Sequence, residues 1–379
     1  MRIAFEGQTI AKSNITGIGC YALNIMKNVL ELDHNNSYSI NVFDFLGRNN
    51  SAENIVRVLG RTDIDVRTCL LLPYGLYVRK HSIFGKLPYE FYFNKKTDVS
   101  HFFNFILPEK VSGKTITTVH DMVFMLHPET MSDVNYEIFR KQLARSCRQA
   151  DVIVTVSQNS RKEIAELMNV PLEKIYVTYN AVDTSVFYPM KNKGLIQRKY
   201  GIEGPYILYL GTLEPRKNIS LLIKAFHSVS QRLRGVNLVI AGSRGWKSEN
   251  IFTLVDDLAL TDRVIFTGYV AEEDKPALYS CAELFVFPSL YEGFGIPPLE
   301  AMACGTPVIC SNTSSLPEVT GEAGVLVDPS NIEQLSYEIV RLMEDSSARE
   351  ELSHKGIIRA GNFSWADSAR VIIDIYQDL

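Results

Sequence analysis

With 379 residues, 46% hydrophobic and 22% charged, the chain is long enough for two globular cores rather than one. A formal net charge of -4 provides no basic footprint for nucleic acid, and Cys20, Cys69, Cys147, Cys281, Cys304 and Cys310 contain no CxxC pair, so neither a disulfide framework nor structural zinc is expected. No apolar run reaches the roughly 18 residues a spanning helix needs, and the opening reads as a strand rather than a signal peptide, which makes the cytosol the expected location. Charge is uneven: residues 1–180 carry 21 Lys and Arg against 18 Asp and Glu (+3), and residues 181–379 carry 18 against 25 (-7).

The chain starts with a strand-like RIAFEG, then Thr16-Gly17-Ile18-Gly19, then a helical CYALNIMKNVLEL. Glycines there let backbone amides approach a ligand without a Cβ in the way. A dinucleotide site would need a third glycine, but position 22 is Ala22 and the gap from Gly7 to Gly17 is too long, so a nicotinamide enzyme is disfavoured. Asp63-Ile-Asp65 is a literal metal-binding D-x-D string, short enough to arise by chance, and is set aside. Tyr74 to Lys96 mixes aromatics with Arg79, Lys80, Lys86, Lys95 and Lys96. That mixture suits a membrane surface of anionic lipid, and equally a solvated helix pair whose aromatics enter the core.

TITTV then ends in His120-Asp121, which places an imidazole at a strand's end, where Asp121 either orients it or closes the turn; His127-Pro128 reads as loop. A helix over Tyr136 to Gln149, the strand DVIVTVS, a helix from Ser160 to Met168 and KIYVTYN complete a first doubly wound domain. Ser157 and Ser160 read first as helix caps and Asn180 as a hinge-side residue. From Ala181 to Pro205 the pattern lapses into a Lys-rich linker with one short helix. YILYLG, ISLLIKAFHSV, VNLVIAGS, IFTLVDDLAL, RVIFTGYV and ELFVFPS then repeat the alternation. The alternation divides the chain into 1–185 and 186–363, with a closing helix over 364–379.

Two stretches of the second half carry chemistry. In GTLEPRKNISLL, Arg216 and Lys217 stand between a strand and a helix N-terminus, where two cations are unfavourable until an anion joins them. A diphosphate is the natural guest: Arg grips it with two donors, Lys adds a compact charge, and both stabilise it as a leaving group. In YEGFGIPPLEAMACGTPV, Pro297-Pro298 open a helix that ends near Gly305, so Glu300 is expected in its first turn and Glu292 in the preceding loop. Unpaired helix amides favour a phosphate there, and the carboxylates suit sugar and ribose hydroxyls, which supply donors.

The glutamate, seven residues, glutamate signature closely resembles that of the retaining glycosyltransferases of family four, which have the GT-B fold: two doubly wound parallel-sheet (Rossmann-like) α/β domains facing a cleft. Similarity of TGIGCY, VHD, GTLEPRKN and YEGFGIPPLEAM to bacterial mannosyltransferases of surface polysaccharide assembly implies GDP-mannose as donor, although no residue reads guanine. The resemblance assigns Arg216 and Lys217 to the leaving diphosphate and His120 to the donor sugar. It places Gly17 and Gly19 over the donor phosphate and near the acceptor, and Gly242, Ser243, Tyr269 and Val270 against the nucleotide base. Gly293, Phe294, Gly295, Leu299 and Glu300 complete the donor site. Glu292 is either a donor-binding carboxylate or a nucleophile. A glycan or polyprenyl-linked acceptor is implied, with no metal and no other cofactor, since the two cations already bring the positive charge. A sugar-nucleotide epimerase or hydrolase of the same fold, and a non-catalytic nucleotide-sugar-binding protein, stay as alternatives. The resemblance makes 1–185 the acceptor-side domain and 186–363 the nucleotide-sugar donor domain, and implies that the last helix, 364–379 in FSWADSARVIIDIYQDL, crosses back onto the first.

Overall fold

The computed structural model describes residues 1–12, 15, 17–79, 87–190 and 194–379. They divide into two compact units, one of residues 1–126, 133–180 and 365–379, the other of residues 127–132 and 181–364. The closing helix Trp365–Asp378 thus belongs with the first unit, where it packs along the helix Gly17–Leu32. Two polar ties fix it: Ser368 Oγ donates to the Tyr179 carbonyl at 2.7 Å, and Tyr376 Oη lies 3.0 Å from His101 Nδ1.

In the first unit a seven-stranded parallel sheet runs in the order β3-β2-β1-β4-β5-β6-β7. Its strands are β1 (Arg2–Glu6), β2 (Ser37–Phe43), β3 (Asp65–Cys69), β4 (Val99–Phe102), β5 (Lys114–Thr118), β6 (Val152–Thr155) and β7 (Ile175–Val177). The chain winds outward from β1 to β3, returns to the other side of β1 as β4, and winds outward again. Ile3 pairs with Tyr38 on one side and Val99 on the other, so the topological switch lies between β1 and β4. Loops leaving the carboxyl ends of such strands part in opposite directions and leave a crevice.

The second unit repeats this with six parallel strands in the order β10-β9-β8-β11-β12-β13. They are β8 (Tyr206–Leu210), β9 (Asn237–Ala241), β10 (Val264–Gly268), β11 (Leu284–Phe287), β12 (Val308–Ser311) and β13 (Gly324–Val327). Here the switch falls between β8 and β11, where Leu284 pairs with Ile207. Every residue of β8, β11 and β12 is buried, as helices on both sheet faces require, which explains why YILYL and LFVF are continuous apolar runs.

Some sequence expectations shift. Glu300 is the fifth residue of the helix Ile296–Ala303 and begins its second turn, because the helix starts one residue before Pro297. Of the described aromatics in Tyr74–Lys96, Tyr77, Tyr89 and Phe93 are buried, with Phe43 lying against them at ring-centroid distances of 4.7, 6.4 and 5.2 Å, and Phe91 is exposed. Among the described residues of that stretch Leu76, Leu87 and Phe91 are the large exposed hydrophobics; residues 80–86, with Lys80 and Lys86, lie outside the described residues. Among the described residues no helix is long and apolar enough to cross a membrane. Asp63 and Asp65 each pair with their own arginine, Arg61 at 2.6 Å and Arg67 at 2.7 Å.

Candidate active site

At the switch point of the second unit, the loop after β8 meets the loop after β11. Pro215–Lys217 form a single 3-10 turn, and Asn218, left-handed at φ 55, redirects the chain into the helix Ile219–Val229. The Arg216 carbonyl accepts the Leu290 amide at 2.8 Å, which ties the two loops together, and Ser289 Oγ lies 3.2 Å from the same carbonyl. Arg216 Nη1 donates to Glu292 Oε2 at 2.8 Å and to the Tyr291 carbonyl at 2.7 Å, while its Nη2 reaches Glu214 Oε1 at 2.7 Å. Lys217 Nζ donates to Glu292 Oε1 at 2.6 Å and stands 5.0 Å from the Phe287 ring centroid. Ser289 Oγ donates to the same Oε1 at 2.5 Å. Glu214, Lys217 and Glu292 are only 4%, 9% and 8% exposed.

The cluster changes the reasoning that sequence supports. Arg216 and Lys217 do not wait for a ligand to balance them, because Glu214 and Glu292 already do; two cations face two carboxylates. Burial alone would raise the Glu292 carboxyl, but the charges of Arg216 and Lys217 and the hydrogen bonds from Lys217 and Ser289 outweigh it and bring it down to about 2. Burial and the neighbouring Arg216 charge pull the Lys217 ammonium below its usual value, while Glu292 and Glu214 hold it up. Glu292 retains limited acceptor capacity. A carboxylate offers about four lone-pair sites, of which Lys217 and Ser289 use two on Oε1 and Arg216 uses one on Oε2. One position, on Oε2, remains for a ligand hydroxyl.

The helix after Gly295 is a poorer anion cradle than expected. Pro297 and Pro298 occupy two of its first three positions and carry no N–H, and the Leu299 amide bonds back to the Gly295 carbonyl at 3.4 Å. Of that turn only Ile296 keeps an amide free of the helical ladder. Phe294 and Leu299 are core side chains, Phe294 lying edge-on to Phe363 at 5.5 Å, so they reach a ligand only through backbone. Glu300 is buried and accepts from Tyr279 Oη at 2.8 Å; burial raises its pKa, against Lys275 and the Tyr279 hydroxyl. Gly242 follows β9 at φ 139, and an added Cβ would stand 1.9 Å from the Gly211 carbonyl oxygen. Its amide is committed to the Gly268 carbonyl at 2.8 Å, and the Ser243 carbonyl accepts from Leu213, so these residues shape the loop above β8. Tyr269 is exposed and Val270 is buried.

Within the first unit His120 sits just beyond β5. Its Nε2 lies 2.8 Å from the Phe103 carbonyl, which can only accept, so Nε2 carries the proton. Burial lowers its pKa, partly countered by that bond, to about 4. The ring is therefore neutral near pH 7, with Nδ1 an acceptor. Tyr21, one turn beyond Gly17, packs edge-on to it at 5.2 Å. Asp121 closes the turn by accepting the Val123 amide at 3.1 Å. Among the described residues nothing crowds the Cβ side of Gly17, whereas a Cβ at Gly19 would stand 2.6 Å from the Thr9 carbonyl oxygen, so Gly19 serves the packing of its helix. Ser157 caps the helix Gln158–Met168 through the Ser160 amide at 3.0 Å.

Three participants escape a reading of the sequence. Glu214 is legible in hindsight as an acid two positions before Arg216, and Ser289 as the residue one turn before Glu292. Tyr279 carries no local signal, because its partner Glu300 lies 21 positions away.

Two doubly wound units, the second with buried paired cations and carboxylates at its switch point, define an α/β protein suited to a phosphorylated ligand. Residues 192–359 match the model described as "Glycosyl transferases group 1" and residues 91–186 match "Glycosyltransferase Family 4". "O-antigen chain mannosyltransferase B" of Escherichia coli is 34% identical over 389 residues, covering 100% of both chains. "O-antigen chain mannosyltransferase RfbU" of Salmonella typhimurium is 36% identical over 234 residues, 59% of this chain and 62% of that protein. Among solved structures, sucrose-phosphate synthase from Thermosynechococcus elongatus matches with a TM-score of 0.76 at 20% identity over 100% of this chain and 98% of that one. Anabaena Alr3699/HepE in complex with UDP and glucose matches with 0.73 at 18% identity, covering 100% of both. The two structures speak to fold alone, and that fold is GT-B. The chain belongs to the family-four glycosyltransferases and is a glycosyl-transferring enzyme.

Proposed function

We propose that this enzyme transfers mannose from GDP-mannose to a hydroxyl of a growing surface glycan, carried on a polyprenyl lipid or an oligosaccharide. The observation that supports the chemistry most directly is the Glu214–Arg216–Glu292–Lys217 cluster, in which buried cations are already positioned and paired. An arriving diphosphate competes for their remaining donors, and charge developing on it as the sugar leaves strengthens those bonds, which is the condition for catalysis rather than mere binding. The acceptor oxygen bonds to C1, the bond from C1 to the β-phosphate oxygen breaks, and the acceptor proton passes to that phosphate oxygen. No protein base is needed, and the configuration at C1 is retained.

The free lone pair of Glu292 Oε2 and the neutral Nδ1 of His120 accept donor-sugar hydroxyls, and Glu300 accepts from the ribose. Arg216 and Lys217 supply positive charge, so the reaction proceeds without a divalent ion. Mannose is supported by the full-length likeness to the E. coli O-antigen enzyme. Work at the inner face of the plasma membrane is supported by exposed Leu76, Leu87 and Phe91 in the first unit. Incubation of the purified chain with GDP-mannose, UDP-glucose, UDP-galactose and UDP-N-acetylglucosamine, read as released nucleoside diphosphate, tests the donor. GDP-mannose is expected to turn over fastest; release from a UDP sugar with none from GDP-mannose overturns the mannose reading.

A further inference from the structure

The segment 127–132 belongs to the second unit, although the chain up to Leu126 and again from Asp133 belongs to the first. It is a closed turn. Pro128 fixes φ at the start of the 3-10 turn Pro128–Thr130, and the His127 carbonyl accepts both the Thr130 amide at 3.0 Å and Thr130 Oγ1 at 2.7 Å. Glu129 Oε1 lies 3.3 Å from His127 Nδ1 and steadies the ring.

Each end of this strap meets a loop of the second unit. At one end Trp246 Nε1 donates to the Thr130 carbonyl at 2.7 Å, and Lys247 Nζ to the Glu129 carbonyl at 3.2 Å; both belong to the loop after β9. Trp246 is 41% exposed, so its ring does not serve a core. Lys247 stands at φ 56, a left-handed conformation that a non-glycine residue keeps only where its surroundings hold it. That loop is in turn sewn to the one after β8. The Leu213 amide donates to the Ser243 carbonyl at 3.0 Å and the Gly245 amide to the Leu213 carbonyl at 2.9 Å, an approach so close that a Cβ at Gly245 would stand 2.6 Å from the carbonyl oxygen. Glu214 comes next in the chain. At the other end the His127 ring lies 5.6 Å from the ring of Tyr291, a buried residue of the loop after β11.

Arg216 is what these loops share. Its Nη2 bonds Glu214, while its Nη1 bonds the Tyr291 carbonyl and Glu292. One guanidinium is thus oriented by partners in two loops, and the strap reaches behind both. We propose that His127–Ser132 is a clamp that fixes Arg216 for the departing diphosphate, with Trp246 and His127 as positioning residues. The clamp rests on the leaving-group role given to Arg216 above, and it does not depend on which nucleotide sugar is the donor.

Three variants of the intact protein test this. Trp246→Phe keeps a ring and deletes the N–H, His127→Ala deletes the ring, and His127→Phe restores an aromatic contact with Tyr291. With whichever nucleotide sugar turns over fastest, kcat should fall about tenfold in Trp246→Phe and His127→Ala, because small displacements of a preorganised group are costly to rate. Donor KM should stay within about twofold, as for an interaction realised in the transition state, and His127→Phe should regain most of the lost rate. Hydrogen exchange read by mass spectrometry should quicken at Leu290, whose amide donates to the Arg216 carbonyl, in the two impaired variants. In an Arg216→Ala background the same substitutions should cost no more than about twofold further, since the group they position is gone. Unchanged exchange and unchanged kcat in both variants, or losses fully additive with that of Arg216→Ala, overturn the clamp. Faster exchange with unchanged kcat overturns the leaving-group role of Arg216 and leaves the strap's hold on the loops standing.

Discussion

Lys217 Nζ and Glu292 Oε1 lie 2.6 Å apart, although 75 positions separate them in the chain. Their contact is the place where the loops after β8 and β11 close on each other, and it stands over the switch point of the second sheet. Both partners are buried; removing Glu292 takes from the Lys217 ammonium its carboxylate partner, whereas removing Lys217 leaves Glu292 paired with Arg216. Pairing also keeps the ammonium oriented before any ligand comes, which spares the reaction the cost of reorganising it.

Lys217→Ala and Arg216→Ala should each lower kcat with GDP-mannose by about 100- to 1,000-fold, roughly 2.7–4 kcal/mol of barrier, the effect of deleting a positioned charge from a departing anion. Steady-state release of nucleoside diphosphate measures it. Near-normal kcat in both variants would remove the pair from the leaving-group role. Lys217→Arg tests geometry: the planar guanidinium keeps the charge but cannot share Oε1 with Ser289 in the same way, so partial recovery is expected.

Glu6 makes stability depend on pH in the direction opposite to an ion-paired acid. Burial, partly countered by the Gln8 amide, lifts its pKa from 4.5 to about 7. The folded protein therefore binds this proton more tightly than the unfolded chain, and the contribution is complete below pH 4.5 and lost as pH rises toward and through 7. Glu6→Gln should accordingly be more stable than wild type at pH 8, by up to about 3 kcal/mol, with the gap closing by pH 4.5. Urea denaturation at the two pH values reads this, and equal midpoints at pH 8 would show that Oε2 has found a partner.

Much of the second unit was open to reading from residue patterns, and the reason is physical. Buried parallel strands such as YILYL and LFVF are apolar throughout, and the loops that follow them put charged residues beside prolines and glycines, a combination with few structural uses. β2, β3 and β4 of the first unit carry no comparable pattern. DVRTC, at the sheet edge, is buried only at Cys69 and can keep polar residues, while SYSINVF and VSHF mix serine, asparagine and histidine into interior strands where tertiary partners satisfy them. Pairing of Arg216 and Lys217 with Glu214 and Glu292 was likewise hidden, since it depends on which loops the topology brings together.

Glu300→Ala should weaken nucleotide binding by about tenfold or more, near 1.4 kcal/mol, if its carboxylate holds the ribose. Tyr279→Phe is subtler. The Tyr279 hydroxyl donates to Glu300 Oε2 at 2.8 Å and favours the ionised form, while burial opposes it. Without that bond the Glu300 pKa rises, and the acid limb of nucleotide affinity should move to higher pH. Calorimetric titration with GDP across pH 5 to 8 distinguishes the two variants, and an unshifted limb would separate Glu300 from the nucleotide.

Charge supplied by side chains should make the reaction indifferent to chelation. In excess EDTA the rate with GDP-mannose should stay within about twofold of the untreated rate, because Arg216 and Lys217 occupy the role a divalent ion would otherwise fill. Loss of activity on chelation, restored by magnesium or manganese, would show that the two cations do not suffice.

Gly17 and Gly19 separate a ligand's need from a fold's need. An added methyl at Gly19 would press on the Thr9 carbonyl oxygen at 2.6 Å, so Gly19→Ala should destabilise the protein by about 1–3 kcal/mol as an overpacked contact does. Among the described residues nothing lies within 4 Å of a methyl added at Gly17, and the residue opens the helix Gly17–Leu32, where alanine is the better helix former by up to about 1 kcal/mol. Gly17→Ala should thus leave the melting temperature unchanged or slightly raised. If the donor phosphate approaches this backbone, the same methyl obstructs it, and kcat/KM for GDP-mannose should fall at least tenfold in a protein that is no less stable. Thermal melts run beside initial rates decide the matter: unaltered kcat/KM in Gly17→Ala would mean that the phosphate does not come near residue 17.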